Sequence, residues 1–327
     1  MKQSEMWKRG LSLFLIVMSV IMFTGFAHAF SFRSDIQFVV PFSAGGGSDI
    51  YARIAADIIQ RNGWVDRPIL VVNRPGGGGA VGDAYTFGQR GNPAVITTYV
   101  SAQITSPLIT GSQVTFRDLT PIANLVMEEF TLGVCINSPY TTLAYLLEAA
   151  RENPGAITIG GSGRGTEDEL VTGLLGKEAG VELQYVSFNS TAEVIAAVMG
   201  GHVVAGIFRH SVLNPGDEGI LINILATFAP ERHEIFTELP TFVELGFPEV
   251  VFQQFRGIFG PPDMPEEAVE FWADVFRKVV ETDEWQTGYV ERNGMTSRFM
   301  AGEDFVAFLE SEALKYETVL RSIGVID

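Results

Sequence analysis

Cysteine is almost absent from this chain of 327 residues, since Cys135 is the only one. No disulfide can form within the chain, and we interpret Cys135, which lies in an apolar alternation, as a buried strand residue. Without disulfides, hydrophobic cores must hold the fold, and a chain of this length is more typical of two domains than of one.

Histidine is also scarce, with four in the whole chain. We expect His202 and His233 to be surface residues and leave the role of His210, at a strand end, open. No His, Cys and Asp residues have the spacing of metal ligands, so the sequence predicts no metal, no cofactor and no catalytic residue. The acidic triplet 167–169 is typical of the first turn of a helix, where the helix dipole favours carboxylates.

Basic residues are outnumbered, because 22 Lys and Arg face 39 Asp and Glu and the net charge is −17. A nucleic-acid partner needs a basic footprint, and no such cluster occurs after residue 30, which excludes that class. The same charge repels small anions at long range, so an anion site in this chain must depend on short-range hydrogen-bond donors.

One long apolar run exists, at 11–26, and it follows Lys2, Lys8 and Arg9. It is shorter than the roughly 20 residues that a spanning helix needs, and the small-residue triplet 27–29 comes after it. This is the pattern of a cleaved signal peptide. The sequence predicts cleavage after Ala29, a mature chain that starts at Phe30, and a periplasmic location.

Short apolar runs alternate with helical patterns along most of the chain. This repetition predicts an α/β fold with parallel sheets covered on both faces. Two amphipathic helices are predicted at 266–282 and 303–320. The predicted strands are 36–40, 69–72, 94–99, 131–136, 156–159, 183–187, 203–208 and 220–226.

Three glycine runs, 41-PFSAGGGSDIYARIA-55, 74-RPGGGGAVGDA-84 and 160-GGSGRGTEDEL-170, each follow a predicted strand. Such loops lie at the carboxyl ends of parallel strands, where α/β proteins bind their ligands. Glycine lets successive backbone N–H groups converge on one point, and a helix start adds further donors. The three runs therefore predict a site for a carboxylate or phosphate rather than tight turns alone.

Two nucleotide-binding patterns are excluded. The glycines at 77, 79 and 82 match a dinucleotide fingerprint, but no acidic residue lies between Asp83 and Asp118 to hold a ribose. A phosphate P-loop is excluded because no Gly-Lys-Ser/Thr follows any of the glycine runs.

Four further segments follow the same order as these motifs: 72-VNRPG-76, 200-GGHVVAG-206, 239-LPTFVELGF-247 and 257-GIFGPPDMP-265. With all of these segments, the chain resembles the periplasmic solute-binding proteins of tripartite tricarboxylate transporters, the Bug family. The resemblance covers nearly the whole predicted mature chain. It departs from the family at Glu169, where many relatives have His, and at Arg209 and His210, where small polar residues are commoner.

The resemblance implies two α/β domains, 30–125 plus 225–327 and 126–224, with the chain crossing near 120–125 and 224–232. It implies a monomer with a periplasmic-binding-protein-like (type II) cleft for a small organic mono- or dicarboxylate, delivered to the membrane components of a transporter. The candidate ligand-binding residues are Phe42, Ser43, Ala44, Gly45, Gly46, Gly47, Ser48, Asp49, Gly77, Gly78, Gly79, Ala80, Ser101, Gly163, Arg164, Gly165, Thr166, Asn189 and Arg209.

Two residues carry sharper expectations. A side chain at Gly46 is expected to oppose positive φ and block the ligand. Arg209, directly after a predicted buried strand, is expected to pair with a second anionic group of the ligand more readily than Arg164; an ion pair within the protein is the alternative. Two alternative functions remain for the whole protein. They are a secreted α/β enzyme that acts on a small acid and a ligand sensor for a membrane receptor.

Overall fold

Buried apolar runs form the strands of a mixed α/β fold. The structure, a computed structural model, describes residues 31–210 and 221–327, so the predicted signal peptide and the N-terminus at Phe30 lie outside the described residues. The strands are β1 Ile36–Val40, β2 Ile69–Asn73, β3 Val95–Val100, β4 Thr120–Cys135, β5 Ile157–Ser162, β6 Leu183–Phe188, β7 Ala205–Arg209, β8 Ile222–Thr227, β9 Gln253–Gly260 and β10 Thr296–Ala301.

Helices follow most of the strands and bury an apolar stripe against them. They are α1 Gly47–Arg61, α2 Ala80–Phe87, α3 Ser101–Thr110, α4 Leu143–Glu152, α5 Glu167–Ala179, α6 Thr191–Met199, α7 Glu266–Val280 and α8 Gly302–Ser322, with short helical turns at Gly77–Gly79, Phe116–Asp118 and 283–293. In α7 the buried positions Ala268, Trp272, Val275, Phe276 and Val279 recur at helical spacing. Among the described residues, no helix combines the length and the apolar character needed to cross a membrane.

The strands make one hydrogen-bonded path in the order β2-β1-β3-β9-β4-β7-β5-β6, with β8 and β10 also paired to β4. The two outer groups, β2-β1-β3 and β7-β5-β6, are parallel, as predicted. The central pairs of β9 with β3 and of β4 with β7, β8, β9 and β10 are antiparallel. The fold class is therefore confirmed, with an antiparallel centre that the sequence did not indicate.

The long strand β4 brings the two parallel groups together. Val100, at the end of β3, pairs with Arg256 of β9, which in turn pairs with Val126 of β4. Arg209, at the end of β7, pairs with Phe130 of β4 from the opposite direction. Four residues of extended strand span about 13 Å. The carboxyl ends of the two parallel groups therefore point at each other across the middle of β4.

Two predictions about β4 differ from the structure. The predicted strand 131–136 is the second half of a strand that begins at Thr120, because the apolar stretch before it is buried as well. Cys135, at its end, is half-buried rather than buried. The division into domains 30–125 plus 225–327 and 126–224 stays a prediction. Strand β4 runs continuously through the predicted boundary at 125/126.

Candidate functional site

The loop between β1 and α1 is held by one buried carboxylate. Asp49 accepts hydrogen bonds from the Gly45 N–H at 2.9 Å and from Asn73 Nδ2 at 2.9 Å. Arg53 contacts both oxygens of this carboxylate, each at 2.9 Å. The Arg53 hydrogen bond is the main reason that the pKa of Asp49 is lowered to about 2. Both carboxylate oxygens of Asp49, which was predicted as a ligand residue, therefore bind groups of the protein and fix the shape of the loop.

The tip of this loop is open backbone. Residues 43–47 are exposed, and α1 begins after Gly46 with no side-chain hydrogen bond to its first turn. Helix starts leave several N–H groups without partners inside the helix. The expectation of positive φ at Gly46 is wrong, because its φ is −78° and the positive angle, +80°, belongs to Gly45. Here Gly45 makes the turn and Gly46 leaves space above the helix start.

The second glycine run lies beside the first, because β1 and β2 are parallel neighbours. Gly76, Gly77, Gly78 and Gly79 all have positive φ, between 59° and 136°, which places four successive N–H groups in a tight curve. Helix α3 supports this curve, since the Ser106 hydroxyl donates to the Gly77 carbonyl at 3.1 Å. A Cβ at Gly78 would lie 2.6 Å from that hydroxyl oxygen, so the close packing requires glycine there.

A buried arginine that the sequence reasoning missed lies under the start of α1. Arg256 of β9 donates to Glu128 of β4 at 2.6 Å, and a Cβ at Gly47 would lie 2.9 Å from its guanidinium. An arginine within the mixed polar and apolar stretch 253–260 was the available signal. The Arg256 guanidinium adds positive charge beneath the backbone N–H groups at the start of α1.

The third glycine run, after β5, is filled by carboxylates of its own helix. Asp168 accepts from the Ser162 N–H at 2.7 Å and from the Ser162 hydroxyl at 2.8 Å. Glu169 accepts from the Gly165 N–H at 2.7 Å and from Arg164 at 2.7 Å. The predicted acidic first turn of α5 is present, and it satisfies donors that a ligand would otherwise use.

Arg209 lies where the sequence placed it, at the carboxyl end of β7. Its guanidinium is 2.9 Å from Asp168 and 3.8 Å from Glu128, and it stacks on the Phe130 ring at 3.8 Å. A ligand carboxylate would have to compete with Asp168 for this arginine. Arg164 is mostly exposed and faces, together with Glu169, a separate hollow of about 970 Å³.

The remaining predicted residues are not equally placed. Ser101 starts α3 and is fully buried, so it lies below the loop surface. Asn189 is exposed and bonded to Glu193 at 3.1 Å. The Thr166 hydroxyl donates to the Ser162 carbonyl at 2.9 Å, which closes the third loop on itself. The structure thus brings together the first two glycine loops most closely.

The histidines separate into two groups. His202 is exposed, as predicted. The prediction for His233 is wrong: it is buried and its ring centroid is 5.2 Å from that of His210. Both rings lie against Phe236. The prediction of a surface position for His233 failed because Phe236 covers its ring and backbone groups satisfy its ring nitrogens.

A sequence profile described as the tripartite tricarboxylate transporter family receptor, TctC, matches residues 51–325. A UPF0065 protein in the gbd 5' region of Cupriavidus necator is 26% identical over 90% of this chain and 88% of its own length. The protein BugT of Bordetella pertussis is 24% identical over 69% of this chain and 70% of its own length.

Solved structures share the fold. A TctC solute-binding protein from Polaromonas has a TM-score of 0.77 at 23% identity, over 88% of this chain and 98% of that one. A protein of R. palustris solved with adipate has a TM-score of 0.73 at 23% identity, over 89% and 98%. MatC from Rhodopseudomonas palustris, with bound malate, has a TM-score of 0.70 at 19% identity, over 88% and 99%. The family and fold are those of a binding protein and not of an enzyme, and this chain is a member of the tripartite tricarboxylate transporter receptor (TctC/Bug) family of solute-binding proteins.

Proposed function

We propose that this protein captures a small organic carboxylate in the periplasm and delivers it to the membrane components of a tripartite tricarboxylate-type transporter. The observation that carries the proposal is the pair of neighbouring glycine loops, 43–47 and 76–79, in front of helices that begin without side-chain caps. One carboxylate of the ligand binds their backbone N–H groups.

The dimensions of the site favour a small ligand. The carboxyl ends of β3 and β7 are separated by only about 13 Å along β4, which leaves room for a chain of a few carbons. Two proteins of similar fold were solved with adipate and with malate, which are ligands of that size. The strong net negative charge is compatible with such a ligand because the donors act at short range.

A titration of the purified protein with a panel of acids tests the proposal. Acetate, lactate, succinate, malate, adipate and citrate would be compared by isothermal titration calorimetry and by the shift in Tm. We expect a 1:1 complex with at least one acid and no turnover product by mass spectrometry. Conversion of the acid to a product would support the secreted-enzyme alternative instead.

The transporter part of the proposal needs its own measurement. Cells that lack this protein should lose uptake of the acid that binds best, and a variant that no longer binds the acid should fail to restore uptake. Normal uptake by cells without the protein, together with a ligand-dependent change in gene expression, would favour the sensor alternative.

A further inference from the structure

Three buried side chains that the carboxylate site does not use lie together behind β4. They are Glu129 of β4, His210 after β7 and His233 of the loop that follows β8, and we name them the Glu129 cluster. One ligand-type atom from each lies within 4.8 Å of the others. Their burial is nearly complete, with 0%, 1% and 7% exposure.

The hydrogen bonds of His210 define which ring nitrogen is available. The Thr227 hydroxyl donates to the Phe130 carbonyl at 3.1 Å, so toward His210 Nε2, 3.2 Å away, it acts as the acceptor. His210 therefore carries its proton on Nε2. Its Nδ1 is buried without a well-formed hydrogen bond among the described residues, and the backbone of Gly294 packs beside this imidazole. A neutral imidazole with a free Nδ1 is the form that binds a metal ion.

His233 is held in a similar way. Its Nδ1 accepts the Ile235 N–H at 3.1 Å, so its proton is on Nε2, which donates to the Met295 carbonyl at 3.1 Å. Donation of one ring N–H to a backbone carbonyl is the usual support for a histidine that binds metal through its other nitrogen. Metal binding at Nδ1 would replace one hydrogen bond from Ile235, which lies in an exposed loop.

Glu129 presents the third atom. Its Oε1 accepts from Gln253 Nε2 at 2.7 Å, while its Oε2 is buried without a partner among the described residues. The cluster therefore presents a carboxylate oxygen of Glu129 and a ring nitrogen of His210 that are both buried without a hydrogen bond among the described residues.

The cluster is separate from the carboxylate site. Successive side chains of a strand point to opposite faces, and Glu128, the neighbour of Glu129, pairs with Arg256 under the glycine loops. A cavity of about 410 Å³ opens beside Glu129 and His233 on the other face. Its lining carries both charge signs, with Glu231, Glu234 and Glu291 beside Arg232 and Arg298, and it offers a place for a fourth, non-protein ligand.

We propose that Glu129, His210 and His233 form a binding site for one divalent transition-metal ion, with zinc the best fit. Two imidazoles and one carboxylate around an open fourth position are a donor set that zinc prefers. The ion would join β4, the end of β7 and the 228–236 loop, so it would stabilise their packing. This site is independent of the carboxylate that the protein carries.

The test uses untagged, chelator-treated protein titrated with Zn²⁺ by calorimetry and with Co²⁺ by visible spectroscopy, since Co²⁺ in a tetrahedral site gives intense visible bands. Glu129→Gln keeps the size of the side chain and its bond to Gln253, so it should fold without metal. His233→Gln removes a second ligand. The matched control is His202→Gln, which removes an exposed histidine of the described chain.

We expect one Zn²⁺ per chain, a metal-dependent rise in Tm, and affinity weakened more than about 10-fold by Glu129→Gln and His233→Gln. The His202→Gln variant should bind like the unmodified protein. Absence of Zn²⁺ binding in the unmodified protein would overturn the proposal. So would full-affinity binding by Glu129→Gln, or loss of binding only in His202→Gln, because either result would locate the ion on the surface.

Discussion

Replacing Gly46 with aspartate should stabilise this protein and abolish its ligand binding. Gly46 is the N-cap of α1, with extended backbone angles of −78° and 167° and no side-chain cap. Aspartate is among the best N-cap residues, because its carboxylate accepts N–H groups of the first turn. In this variant the protein's own carboxylate would occupy the donors that we assign to the ligand.

The expected magnitudes have opposite signs. An aspartate cap should add about 0.5–1 kcal/mol through its hydrogen bond and the helix dipole, which corresponds to a Tm increase of about 1–4 °C for a domain of this size. Loss of two charge-assisted hydrogen bonds, each worth about 1.5–3 kcal/mol, should weaken the ligand by at least about 100-fold. Thermal melts without ligand and calorimetry with the best acid measure the two effects.

Two controls separate the contributions. Gly46→Ala adds the same Cβ as the aspartate, at a close 3.3 Å from the Ser43 carbonyl oxygen, and no acceptor, so it should lower Tm slightly because alanine is a poor N-cap residue and should keep most of the binding. Ala156→Asp adds the same charge at an exposed position at the amino-terminal end of β5, far from the carboxyl-end loops, and should bind normally. If Gly46→Asp binds the acid as the unmodified protein does, the first turn of α1 is not where the carboxylate lies.

Three further results are expected. Arg209→Gln should lower the free energy of unfolding in urea by about 2–4 kcal/mol, because it leaves buried carboxylates unpaired. Adding Asp168→Asn to this variant should restore part of that loss. If Arg209→Gln instead weakens the binding of a dicarboxylate more than the binding of its monocarboxylate analogue, Arg209 is a ligand contact. Burial raises the pKa of Asp83 to about 7 from 3.8, so its folded form holds a proton and stability falls as pH rises between these values. Asp83→Asn should therefore stabilise the protein more at pH 8 than at pH 5, and an equal effect at both would contradict this reading. Intact mass of exported protein should give Phe30 as the first residue, and a chain that keeps residues 1–29 would contradict the signal-peptide prediction.

The sequence predicted local features well where one chain segment determines them. Strand β1 has the predicted bounds, Ile36–Val40, and the glycine loops follow β1, β2 and β5 because strand, loop and helix are contiguous. Residues 253–260 were not predicted as a strand, because Gln253, Gln254 and Arg256 interrupt the apolar residues of this stretch; in the structure all eight residues are buried between β3 and β4.

The Glu129 cluster was beyond sequence reasoning for a related reason. Glu129, His210 and His233 come from separate parts of the chain, and only the pairing of β4 with β7 and β8 brings them together. Likewise, the position of Arg209 after a buried strand favoured a ligand contact over an ion pair within the protein, and its partner at 2.9 Å, Asp168, was not apparent because it is 41 residues away in the sequence. Residue spacing in the sequence can indicate a site within one chain segment. Contacts between distant segments become apparent only when the pairing of the strands is known.

The self-capped start of α5 gives the ligand a direction. On the β1–β2 side the first turn of α1 has no side-chain cap, while on the opposite side Asp168 and Glu169 already use the N–H groups of Ser162 and Gly165. A molecule lying between them would meet uncapped backbone at one end, and at the other end carboxylates that are already paired with Arg209 and Arg164. We infer that the protein selects molecules with a carboxylate head and a hydroxyl tail, and that hydroxy acids should outcompete symmetric diacids of equal length, because a second carboxylate would have to displace Asp168 or Glu169 from its arginine.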